Sequence, residues 1–172
     1  MRKYIDILTE TYHGEHRAPN REDGAPLYDL TLNGIYPDDV YSPRGREHDA
    51  HSHDSDGFYS AMQSRGRPNK FVTIYRAMPR DVRPLKINPG DWVTLSQDYA
   101  KQHGISNLSG YRVVKMTVAA RDLFTDGNSL DEWGYDPQPS VPTAQEDEIR
   151  ARLGMETKTA ARARIAAEKA AK

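Results

Sequence analysis

An α+β fold is predicted by three observations on this chain of 172 residues. Stretches rich in β-formers recur at 71–76, 92–94 and 111–118, the last a valine-rich run that alternates strongly. Between the second and third lies a helix signature: Ser96 as N-cap, a helical run from Gln97 to about His103, and Gly104 as its stop. From Thr143 the composition shifts to Ala, Arg, Glu and Lys, which predicts one or two helices broken near Gly154 and carrying exposed charge pairs.

Composition narrows the functional classes. Hydrophobic residues make up 37% and charged residues 28%, so the core is modest and one domain with extensions is expected. The 24 Lys and Arg against 25 Asp and Glu give a formal charge of −1, with no global pull towards nucleic acid or anionic membrane. Zero cysteines exclude a disulfide framework, a thiol nucleophile and a zinc–thiolate site, and fit a reducing cytoplasm. No apolar run is long enough for a signal peptide or a membrane span, so no membrane partner is expected.

In chain order, Tyr4, Ile5, Ile7 and Leu8 have roughly helical spacing and predict a short helix, followed by a polar linker broken by Gly14, Pro19 and Gly24. Residues 1–23 are therefore read as N-terminal helix and linker, 24–140 as the main domain, and 141–172 as a C-terminal helical tail. Leu27, Leu30, Leu32, Ile35 and Val40 sit among prolines and glycines, which predicts a covering loop with one or two helical turns. A helical turn is expected near 58–63, turns at Pro89-Gly90 and Asp126-Gly127, and a strand start at Glu132-Trp133-Gly134-Tyr135.

Three clusters invite chemistry and carry little. His48, His51 and His53 lie among acids, but a metal site needs ligands on a fixed frame and this segment predicts none; it reads as a solvated loop, and no metal is expected. Arg150, Arg152, Arg162 and Arg164 are interleaved with acids and lack aromatics, so a solvated or partner-binding helix fits better than phosphate tracking. Asp38-Asp39 and Asp131-Glu132 are adjacent acids, of which alternation lets one of each pair face a site.

A sharper set is Arg76 after a strand, Thr94-Leu95-Ser96 between a strand and a helix, and Glu132 at a later strand start. In this order, with the wording TIYRAMP, INPGDWVTLSQDYAKQHG and EWGYDP, the stretch 72–137 resembles the Arg–Ser–Glu class of ADP-ribosyltransferases, in particular small members carried by bacteriophages. The resemblance implies a split antiparallel β-sheet core and NAD as co-substrate. It also implies a bacterial host cytoplasm and transfer of ADP-ribose to a host macromolecule, a protein first and a nucleic acid second. Catalytic roles fall on Glu132, Arg76 and Ser96. NAD binding falls on Arg76, Ala77, Thr94, Ser96, Tyr99 and Glu132, with the Ala77 backbone holding the nicotinamide amide.

The chemistry agrees with that assignment. Breaking the ribose–nicotinamide bond builds positive charge on the sugar, which the Glu132 carboxylate would stabilise while bonding the 2′-hydroxyl. A diphosphate suits the fork of Arg76. Ser96 offers a small donor and acceptor for the ribose or for Glu132, with Thr94 behind it. Tyr99, Trp92 and Tyr111 are candidate rings for stacking on nicotinamide. Two positions depart from the family pattern. The hydroxyl step is Thr-Leu-Ser, and the residue two before the glutamate, Leu130, cannot hydrogen-bond an acceptor guanidinium. Arginine is thereby disfavoured as acceptor, and water, a base, or a non-catalytic NAD- or partner-binding module (a virion accessory protein included) stay open.

Overall fold

The computed structural model describes residues 17–42, 44–45 and 55–171. The helix expected near the N-terminus and the cluster of His48, His51 and His53 lie outside these residues. Among the described residues the fold is α+β, with four α-helices and two antiparallel sheets.

The longest pairing is β2 (Phe71–Pro79) with β4 (Tyr111–Ala119), antiparallel from Phe71 opposite Ala119 to Pro79 opposite Tyr111. The remaining strands are short: β1 (Ala25–Pro26), β3 (Trp92–Val93), β5 (Leu123–Thr125) and β6 (Trp133–Tyr135), in the order β1-β5-β6-β3. Among the described residues a single bridge joins the two sheets. Tyr75 and Thr94 exchange backbone hydrogen bonds of 2.8 and 2.9 Å. This bridge puts Arg76 beside the start of the segment that leads into the next helix.

The core forms where the two sheets meet. Ile74, Val93, Val118, Leu123 and Trp133 are its sheet contribution, joined by Leu95 just after β3, and Trp133 is its largest fully buried side chain. Leu27, Leu30, Tyr36 and Val40 close it from residues 27–40, a loop with two 3-10 turns, Leu32–Gly34 and Asp38–Tyr41. Helix α1 (Ser55–Ser64) adds Phe58 and Ala61 and packs on the 130–131 loop. A Cβ on Gly57 would sit 2.3 Å from the Leu130 carbonyl, so only glycine permits this approach.

Helix α2 (Gln97–Asn107) packs on β2 and β4 and runs past the glycine expected to end it. Gly104 is buried within the helix, and its missing Cβ leaves room for the Tyr111 ring, whose Cδ2 would otherwise lie 2.4 Å away. Two strands escaped the sequence reading, β1 and β5, both too short to display a period.

The C-terminal region forms the two helices expected, broken near Gly154, but only the second of them is solvated throughout. Helix α3 (Thr143–Arg152) is tied to the body, and α4 (Lys158–Ala170) has no buried residue. Asn69 holds the backbone of Val141 from both sides, donating to its carbonyl at 2.7 Å and accepting from its amide at 3.1 Å. Glu146, 1% exposed, pairs with Lys158 at 2.7 Å, and Arg152 pairs with the fully buried Asp29. Arg150 donates to the carbonyls of Glu156 and Gly66. These arginines are committed to intramolecular bonds.

Candidate functional site

A cleft of about 580 Å³ opens between the end of β2, the turn before β3, helix α2 and the start of β6. Arg76, Ala77, Thr94, Tyr99 and Glu132 all line it, although they come from three separate parts of the chain.

Each side chain reaches the cleft for a local reason. Along β2, Ile74 is fully buried and Arg76, two residues on and on the same face, is where the core gives way to the cleft. Its Nη1 donates to the Trp92 carbonyl at 2.6 Å, and its Nη2 stands 3.6 Å from the Asp91 carboxylate. A guanidinium has five N–H donors, so donors remain for a ligand. Asp91 is held in turn by the turn it closes, accepting from the Asn88 amide at 2.8 Å.

The two hydroxyls of the Thr-Leu-Ser step lie mostly beneath the cleft. Thr94 is 4% exposed and its Oγ1 accepts from the Ser96 amide at 3.1 Å. Ser96 is 1% exposed, does not line the cleft, and caps α2 by accepting from the Tyr99 amide at 3.2 Å. Ser96, expected to hold the ribose or to orient Glu132, thus lies below the cleft wall and not on it. The N-cap expected of the same residue is present.

Glu132 directly precedes β6, between the fully buried Trp133 and an almost fully buried Asp131. Its Oε1 accepts from the Tyr99 hydroxyl at 2.9 Å. Burial is the first cause that pushes the Tyr99 phenol well above its ordinary pKa, and the hydrogen bond to Glu132 and the charges of Glu132 and Asp131 add to it. The phenol is thus a proton donor to the carboxylate at any neutral pH.

Of the rings proposed for stacking, Trp92 and Tyr99 line the cleft, while Tyr111 is taken up against Gly104. Leu130 is fully buried in the core and its carbonyl accepts from the Trp133 indole at 2.9 Å, so that position presents no side chain to the cleft.

No family model, curated protein or solved structure matches this chain.

Lining residues that escaped the sequence reading as site residues include Arg17, Tyr75, Asp91 and His103. His103 follows Tyr99 by four residues on α2 and was legible as a same-face neighbour. Arg17 had no local signal, because it arrives only through docking of its segment. A Cβ on Gly134 would lie 1.8 Å from the Pro19 carbonyl, which shows how closely residues 18–20 press on β6. Among the described residues no group of three or more His, Asp or Glu converges to hold a metal ion. No described helix is long and apolar enough to cross a membrane.

The arrangement offers two guanidinium groups, the rings of Tyr75, Trp92 and Tyr99, and two carboxylates, Asp91 beside Arg76 and Glu132 beside Tyr99, around a space of ligand size. A guanidinium and a separate carboxylate in one cleft suit a ligand that is anionic at one end and develops positive charge at the other.

Proposed function

We propose that this chain is an NAD-dependent ADP-ribosyltransferase. One observation carries the proposal: Arg76, Tyr99 and Glu132, from β2, α2 and the start of β6, line a single cleft. In the reaction, the bond between ribose C1′ and the nicotinamide nitrogen breaks, and its electron pair leaves with neutral nicotinamide. An acceptor heteroatom forms the new bond to C1′ and releases a proton. Arg76 and Arg17 would hold the diphosphate, Trp92, Tyr75 or Tyr99 would stack on the nicotinamide, and the Ala77 backbone would take its amide. Glu132 would stabilise the cationic sugar and bond its 2′-hydroxyl. Ser96 and Thr94 would act from below through α2. The split antiparallel core of this family fits the pair of sheets joined at Tyr75 and Thr94. The resemblance to phage-borne members further places the reaction in a bacterial host cytoplasm with a host macromolecule, a protein first, as acceptor.

Hydrolysis of NAD is the second reading, and the burial of Leu130 favours it. With no side chain at that position to engage an acceptor, water is the nucleophile the site excludes least. Incubation with NAD labelled in the adenylate part tests both readings. Label on a macromolecule from host lysate supports transfer; free nicotinamide with free ADP-ribose supports hydrolysis. Glu132→Gln is expected to abolish either reaction, and activity near wild type in that variant would sink the mechanism.

A further inference from the structure

We propose that Tyr99 is a positioning residue for the Glu132 carboxylate, fixing one of its oxygens so that the other is presented to the ligand. This rests on the reading of Glu132 given above. The hydroxyl of Tyr99 and Oε1 of Glu132 are 2.9 Å apart, across 33 positions of sequence. Tyr99 is itself held by a continuous relay. The bridge from Tyr75 fixes Thr94, Thr94 Oγ1 holds the Ser96 amide, and Ser96 Oγ holds the Tyr99 amide. The hydroxyl step of the sequence therefore acts on the carboxylate through a phenol.

Glu132 needs such a partner. Its neighbours Asp131 and Trp133 are buried, whereas Glu132 itself is half-buried and lines the cleft on a side chain with three rotatable bonds. A carboxylate that must meet a short-lived cationic sugar gains from being oriented beforehand, since reorganisation at the moment of reaction raises the barrier. The environment of Tyr99 keeps its phenol protonated, so the bond keeps a donor. A ring that served only for stacking would have no use for the hydroxyl, and that contrast makes the idea testable.

Tyr99→Phe keeps the ring and removes the bond. In the full chain, kcat for nicotinamide release should fall about 10- to 100-fold, the scale of a hydrogen bond to a charged group, with KM for NAD changing less than about threefold. Wild-type turnover in Tyr99→Phe, beside an inactive Glu132→Gln, would overturn the positioning role and leave the enzyme reading standing. A second measurement does not depend on turnover. With tyrosine labelled at 13Cζ, and Tyr99→Phe used for assignment, the Tyr99 resonance at neutral pH should move between wild type and Glu132→Gln, because the acceptor of its hydrogen bond changes from a carboxylate to an amide. Glu132→Ala should move it further, since the acceptor is then lost. A Tyr99 resonance unchanged in both variants would overturn the pairing. A wild-type chain that releases no nicotinamide would overturn the enzyme reading and the catalytic purpose of the pair with it.

Discussion

Asp91 Oδ1 stands 3.6 Å from Arg76 Nη2, while Arg76 Nη1 is anchored on the Trp92 carbonyl at 2.6 Å. The two contacts have different consequences. The carbonyl orients the guanidinium, and the carboxylate, in a site only partly exposed, offsets part of its charge. Asp91→Asn keeps an acceptor for the Asn88 amide and removes the charge. Affinity for ADP-ribose should rise by about two- to fivefold, matching the modest worth of a partly exposed ion pair. Calorimetric titration at low and high salt checks this, because the gain should shrink as salt screens the site. Weaker binding in Asp91→Asn would mean that the carboxylate orients Arg76 more than it neutralises it.

Gly104 yields a prediction of stability. Alanine would gain about 1 kcal/mol of helix propensity in α2. Its Cβ would also stand within 2.8 Å of three atoms of the Tyr111 ring. Overpacking of this kind costs about 1–3 kcal/mol, so a net loss of up to about 2 kcal/mol is expected in Gly104→Ala. Denaturant unfolding measures it. Adding Tyr111→Ala should remove the penalty, so the two changes should combine to less than the sum of their separate costs.

Local signals made half of the site legible. A run of β-formers marked β2 and alternation marked β4, the cap at Ser96 marked α2, and the Glu132-Trp133 step marked the start of β6. The remainder depended on contacts that composition does not encode. Gly104 looks like a helix stop because a C-cap glycine and a close-approach glycine are the same residue. Residues 17–20 look like linker, yet they dock on β6 where Gly134 leaves space. The charged run after Thr143 looks solvated, yet the buried carboxylates of Asp29 and Glu146 draw Arg152 and Lys158 onto the body. Ser96 carried two readings at once, and the structure shows the N-cap, made from below the cleft.

Tyr41 links the covering loop to pH. Its hydroxyl accepts from the Leu30 amide at 2.7 Å, and the Arg65 guanidinium lies 4.4 Å from the centre of its ring. Burial pushes the phenol up to about 12 from 10.0, against the smaller lowering effects of the Leu30 amide and Arg65. The folded state therefore holds this proton more tightly than the unfolded chain. The stabilisation is complete below pH 10 and is lost as pH rises from there towards 12. Tyr41→Phe should flatten the alkaline limb of a stability–pH curve. At neutral pH it should cost about 1–3 kcal/mol by leaving the Leu30 amide without its acceptor. Urea midpoints measured between neutral and alkaline pH test both effects.

The Gly134–Pro19 approach ties stability to the site. An alanine Cβ at 134 would lie 1.8 Å from the Pro19 carbonyl oxygen, and both partners are backbone, so no side-chain rotation relieves the clash. The segment must lift away. Ala18 and Asn20 are buried, at 3% and 9% exposed, so lifting also exposes what they cover. Gly134→Ala should therefore lower stability by about 3 kcal/mol or more, in the upper range for a point change. It should also withdraw Arg17 from the cleft. Limited trypsinolysis followed by mass spectrometry should show faster cutting at Arg17 and Arg21, and ADP-ribose affinity should fall by as much as Arg17→Ala is expected to lower it. Slow cutting with weakened affinity would locate the loss in β6 itself, whereas fast cutting with unchanged affinity would remove Arg17 from the ligand's contacts.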